Sequence, residues 1–111
     1  MIKFAQNNII YFLLLFSIGL SQKILIPMDS NQNDHLKAYG LVYLILKKNI
    51  NVEWLLNYKG GAFLLDYQDI IVREAKLRGI TLNNININEL NSIYQEIDSN
   101  NMDIALLEKA P

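Results

Sequence analysis

The 111-residue chain has no cysteine, a single histidine, a single tryptophan and only two prolines. Without cysteine it can form no disulfide, no thiolate metal site, no cysteine nucleophile and no lipid-modified cysteine at a mature N-terminus. His35 has no second histidine and no cysteine to join it in a catalytic set. An excess of charge of one sign is lacking as well: 10 Lys and Arg face 11 Asp and Glu, for a formal net charge of −1. That balance points to no polyanionic partner, so no nucleic acid is expected. With 51% apolar residues the chain is also too hydrophobic for disorder.

The N-terminus reads as an address. Met1-Ile2-Lys3 supplies a positive charge, Ile9 to Phe16 is an unbroken apolar run, and Gly19 and Ser21 put small residues at −3 and −1 before Gln22. That is the three-part pattern of a secretory signal. Ile9 to Leu20 falls short of the roughly 20 residues a membrane-spanning helix needs. Residues 1–21 are therefore read as an apolar signal peptide, with an uncleaved N-terminal membrane anchor or a buried core helix as alternatives. Residues 22–111 are read as an exported, periplasmic or secreted domain, touching a membrane only through residues 1–21 if these are not removed.

The rest alternates between strand-like and helix-like segments. Lys23 to Pro27 is short, apolar and rich in Ile, which suits a strand buried on both faces. Asn33 or Asp34 can cap a helix to about Lys48, with Leu36, Tyr39, Gly40, Tyr43 and Leu44 along one stripe and Leu41, Val42, Ile45 and Leu46 widening it. A helix so apolar is expected to be buried on more than one side. The mid-helix Gly40 is expected to allow close approach to a strand, and Tyr39, Tyr43 and Trp54 are read as packing residues. Val52 to Leu56 is a second strand and Ala62 to Leu65 another apolar segment. Asp66 offers an N-cap for a helix that ends at Arg78, where Gly79 stops it. Ile80 to Leu82 is a third strand, Asn86 or Asn88 begins a helix through Ser99, and Met102 to Leu107 is strand-like. The asparagine run from Asn83 to Asn88 is read as compositional drift with no site role.

Strands separated by helices of ten to fifteen residues imply parallel pairing with right-handed crossovers. The expected fold is α/β, a Rossmann-like or flavodoxin-like three-layer parallel sheet. At about 90 residues such a sheet is marginal alone, so it is read as incomplete, the N-terminal fragment of a longer protein whose missing C-terminal domain is a partner.

Ligands of open parallel sheets bind beyond the carboxyl ends of the strands. Two segments follow such ends: Met28 to His35 after the first strand, and Asn57-Tyr58-Lys59-Gly60-Gly61 after the second. The first has no glycine where a dinucleotide fingerprint needs three, so NAD, FAD and phosphate-loop nucleotides are disfavoured and no cofactor is expected. Together the loops suit a small polar molecule, with Asp29, His35, Asn57, Tyr58, Lys59, Gly60 and Gly61 as candidate ligand-binding residues. Each has a structural alternative. Asp29 can be a turn or cap residue, and His35 can be a surface or capping histidine. Lys59 can be a solvated lysine on a turn that Gly60 and Gly61 make possible.

The stretches KILIPMD (23–29), HLKAYG (35–40), EWLLNYKGG (53–61) and LEKAP (107–111) resemble the N-terminal part of an exported bacterial family labelled asparagine synthetase B. The resemblance covers most of the chain after residue 21 and implies a further α/β domain beyond Pro111. The chain has no cysteine for glutamine hydrolysis and no S-G-G-x-D-S stretch for ATP. Neither half-reaction of an asparagine synthetase therefore has its residues here. The expected function is binding or positioning of a small polar ligand. The alternatives are a fragment of an amide- or ammonia-transferring enzyme whose catalytic residues lie outside this chain, or an inactive truncated product. N-terminal sequencing of the chain recovered after expression in a bacterium should begin at Gln22 or Lys23; a retained Met1 in a membrane fraction would mark residues 1–21 as an anchor.

Overall fold

A computed structural model describes residues 22–110, so the expected signal segment lies outside the described residues. The elements are β1 (Lys23–Ile26), α1 (His35–Lys47), β2 (Val52–Leu55), β3 (Ala62–Asp66), α2 (Asp69–Arg78), β4 (Asn83–Ile85), α3 (Ile87–Ser99) and β5 (Ile104–Leu107). Among the described residues no helix is long and apolar enough to cross a membrane. The five strands form one sheet in the order β4-β1-β3-β2-β5.

Every pairing in that sheet is antiparallel, which corrects the expected parallel, Rossmann-like or flavodoxin-like arrangement. The decisive segment is β3. Only six residues, 56–61, join it to β2, too few for a crossover, so the two strands pair as a hairpin. β3 then lies between β1 and β2, with Leu25 opposite Leu64 on one side and Trp54 opposite Phe63 on the other. β1 and β2 still run in the same direction, but as next-nearest neighbours. The first six elements thus follow the split βαββαβ plan of ferredoxin-like sheets, and α3 and β5 extend it past β2.

The three layers are retained. Side chains of α1 and α2 (Leu41, Val42, Ile45, Ile71 and Ala75) pack with Ile24, Ile26, Val52, Phe63 and Leu65 on one face. Ile93 and Ile97 of α3 pack with Leu25, Leu55, Leu64 and Ile85 on the other. β1 and β3 are buried on both faces, which explains their unbroken apolar sequences without parallel pairing.

Local signals fix the helix ends. Asp34 caps α1 by accepting the Lys37 N–H at 3.0 Å. Asn86 and Glu89 make a reciprocal capping box on α3. Gly79 closes α2 in the left-handed conformation at φ 70°. Gln68, not Asp66, precedes α2; Asp66 ends β3 and pairs with Lys23. The strand expected at 80–82 falls at 83–85, inside the asparagine run.

α1 is buried along the stripe Ala38, Leu41, Val42, Ile45 and Leu46. The Leu36, Tyr39 and Tyr43 stripe faces outward, with Leu36 77% exposed, so the helix is covered on one side, not several. Gly40 has nothing within 4 Å of a Cβ built on it and mediates no close contact.

Beneath α3, the Tyr94 hydroxyl donates to both carboxylate oxygens of Glu53 on β2, at 2.8 and 2.9 Å. Burial first, then this hydrogen bond and the carboxylate's charge, push the Tyr94 phenol well above its ordinary value. The native state therefore keeps a proton that the unfolded chain releases near pH 10. The contribution is complete below pH 10 and is lost as pH rises above it. Tyr94→Phe should lower stability at pH 7 by about 1–3 kcal/mol, because Glu53 loses its donor. It should also make the decline above pH 10 shallower, as measured by urea unfolding from pH 7 to 11.

Candidate functional site

β1 and β2 point the same way, so the loops that follow them emerge at one end of the sheet even though the strands are not adjacent. The Met28 N–H donates to the Lys59 carbonyl at 3.0 Å, joining the two loops directly. At Gly60 they meet backbone to backbone: a Cβ there would lie 2.5 Å from the Met28 oxygen and 2.8 Å from the Asp29 nitrogen. The second loop turns through three successive left-handed residues, Lys59 (φ 46°), Gly60 (φ 75°) and Gly61 (φ 87°). Trp54 locks its exit by donating Nε1–H to the Gly61 carbonyl at 3.1 Å while its indole stacks on Phe63, with ring centroids 5.9 Å apart.

The space between the loops is thus filled by their own backbones, and the open volume lies beside them, on the α3 face. α3 leaves the sheet after edge strand β4 and returns before the opposite edge strand β5, so it crosses the sheet obliquely. Beside it, along edge strand β4, a groove of about 820 Å³ opens. Tyr58 and Lys59 form one end of it. Asn83 and Asn84 of β4 form one wall, Asn88, Ser92 and Glu96 of α3 the other, and Leu25 and Ile93 contribute to its apolar lining. Tyr58 is half-buried, and its phenol is raised above its ordinary value by that burial and by the charges of Glu96 and Asp29. The Lys59 ammonium lies 5.9 Å from the Tyr58 ring centre.

The other expected residues are held by the fold. The Asp29 carboxylate accepts the Asn31 N–H at 3.0 Å, closing a turn, and its charge reaches Tyr58. His35 Nε2 lies 3.0 Å from the Asp29 carbonyl, at the start of α1. Asn57 points away from the groove and accepts the Asp103 N–H at 3.5 Å, tying the end of β2 to the start of β5. Gly60 and Gly61 allow the turn and the close approach. Of the seven residues, Tyr58 and Lys59 line the groove and Asp29 acts on it through charge.

The α3 and β4 residues of the groove include the asparagines read as drift. One signal pointed to them: Asn88, Ser92 and Glu96 recur every four residues and so share one face of a helix. A second polar residue, Gln32, steadies the loop after β1. Its buried amide donates to the carbonyls of Pro27 (2.9 Å) and Thr81 (3.0 Å) and accepts from the N–H groups of Thr81 (2.8 Å) and Asn33 (3.1 Å). This binds the loop to the segment that enters β4. Among the described residues no three His, Asp or Glu side chains cluster as a metal site.

Gly60→Ala combines a left-handed backbone with a backbone clash and should destabilise the fold by about 2–4 kcal/mol in urea unfolding. Gly40→Ala, in open space on α1, should instead stabilise by up to about 1 kcal/mol. Compared with known proteins, the chain matches no family model, no curated protein and no solved structure.

Proposed function

We propose that the chain binds a small polar molecule in the groove between α3 and β4, as the ligand-positioning domain of an exported protein of the asparagine synthetase B-labelled type. The observation that supports this most is Lys59. It is a non-glycine residue held left-handed at φ 46°, at the mouth of the groove. That conformation costs about 1–2 kcal/mol, and such strain collects where a side chain must be aimed at a ligand.

The chemistry of the lining agrees. An ammonium (Lys59), a phenol (Tyr58), amides (Asn83, Asn84, Asn88), a hydroxyl (Ser92) and a carboxylate (Glu96) converge with a few apolar atoms. The set can donate and accept hydrogen bonds and can match either charge at separate points. It suits a compact molecule with several polar groups better than a long apolar one.

The test is a thermal-shift screen of the full chain against amino acids, amides, sugars and dicarboxylates, run on wild type and Lys59→Gly. At least one compound should raise the wild-type Tm. Lys59→Gly should abolish that shift while leaving the unliganded protein as stable, or up to about 1 kcal/mol more stable, because glycine relieves the strain. If no compound shifts the wild type, or if both proteins respond equally, the proposal fails.

A further inference from the structure

The outer strand β5 is short, four residues long, but leaves one edge of the sheet unpaired among the described residues. Its sequence, Ile104-Ala105-Leu106-Leu107, has no charge and no proline. Ile104 is 42% and Leu106 57% exposed. On the opposite face, Leu107 borders an apolar groove of about 440 Å³ with Tyr39, Tyr43, Trp54 and Phe63. The Leu56 N–H donates to the Asp103 carbonyl, so by alternation Ala105 and Leu107 turn their backbone groups to β2. Ile104 and Leu106 turn theirs outward, away from the sheet.

We infer that β5 pairs antiparallel with β5 of a second copy of this chain, about a two-fold axis through Leu106, joining the two sheets into one. Opposed residues of an antiparallel pair share a face, and here Ile104 and Leu106 face α3 while Ala105 and Leu107 face α1. A symmetric pairing that respects this must be centred on a residue, Ala105 or Leu106, and not between two. Centring on Ala105 sets Asp103 against Leu107. Centring on Leu106 sets Asp103 against Lys109 twice, Ile104 against Glu108 twice, Ala105 against Leu107 twice, and Leu106 against itself, so each Asp103 gains an opposite charge. The charges flanking the strand therefore select Leu106. In that register the outward backbone groups of both strands are opposed and can hydrogen-bond.

The absence of cysteine from the chain makes the register directly readable. With Leu106 on the axis, its two copies lie about 5.5 Å apart at Cα, within disulfide range. The two copies of Ile104 are offset by four positions, roughly 13 Å along the strands, beyond that range. Oxidised with diamide, full-chain Leu106→Cys should form a covalent dimer on a non-reducing gel, and Ile104→Cys should not. In sedimentation equilibrium, Asp103→Lys and Lys109→Asp should each weaken the dimer about tenfold or more, and the double reversal should restore it. The inference is overturned if Ile104→Cys cross-links as well as Leu106→Cys, if neither does, or if the wild type is monomeric throughout. A double reversal as weak as the single variants also overturns it.

Discussion

The turn from Leu56 to Gly61 is the constraint on which the rest of the structure depends. It is too short for anything but a hairpin, so β3 folds back along β2 and occupies the place between β2 and β1. From that insertion follow the antiparallel sheet, the burial of β3 on both faces and the two helices α1 and α2 on one side. The turn achieves this through three left-handed residues in succession, closed by the Met28 to Lys59 hydrogen bond and the Trp54 to Gly61 hydrogen bond. The same turn sets Tyr58 and Lys59 at the groove. Topology and candidate site therefore share one short segment.

Much of the secondary structure was legible because its signals are local. Asp34, Asn86 and Gly79 mark helix ends through their own backbone chemistry, and KILI and AFLL mark strands with two covered faces. Sheet direction was not legible in the same way. A strand, a helix and a strand in sequence imply two parallel strands but not that they touch, and only the brevity of residues 56–61 shows that another strand lies between them. On α1, two stripes of apolar residues compete. The stripe through Ala38, Leu41 and Ile45 is buried because the partner sheet is there, while Tyr39 and Tyr43 lie beside a groove next to β5.

The end of the sheet that carries the candidate loops could be inferred even with the wrong pairing. It depends on β1 and β2 running in the same direction, which holds in both arrangements. The side chains that line the open space could not be inferred from the loops alone. They come from α3 and β4, which lie outside both loops in sequence. Asn57 and Gly60, beside Lys59 in sequence, serve the frame: one ties down β5 and the other seats the loop on Met28.

The register of β1 has a consequence for the order of events in folding. Ile26 pairs with Phe63, and Lys23 with Asp66 and Ile85, so the first strand has no partner in the sheet until β3 has been made. Closing contacts this distant is entropically slow. The strand made first is thus paired only once β3 exists, and its docking between β3 and β4 is what closes the middle of the sheet.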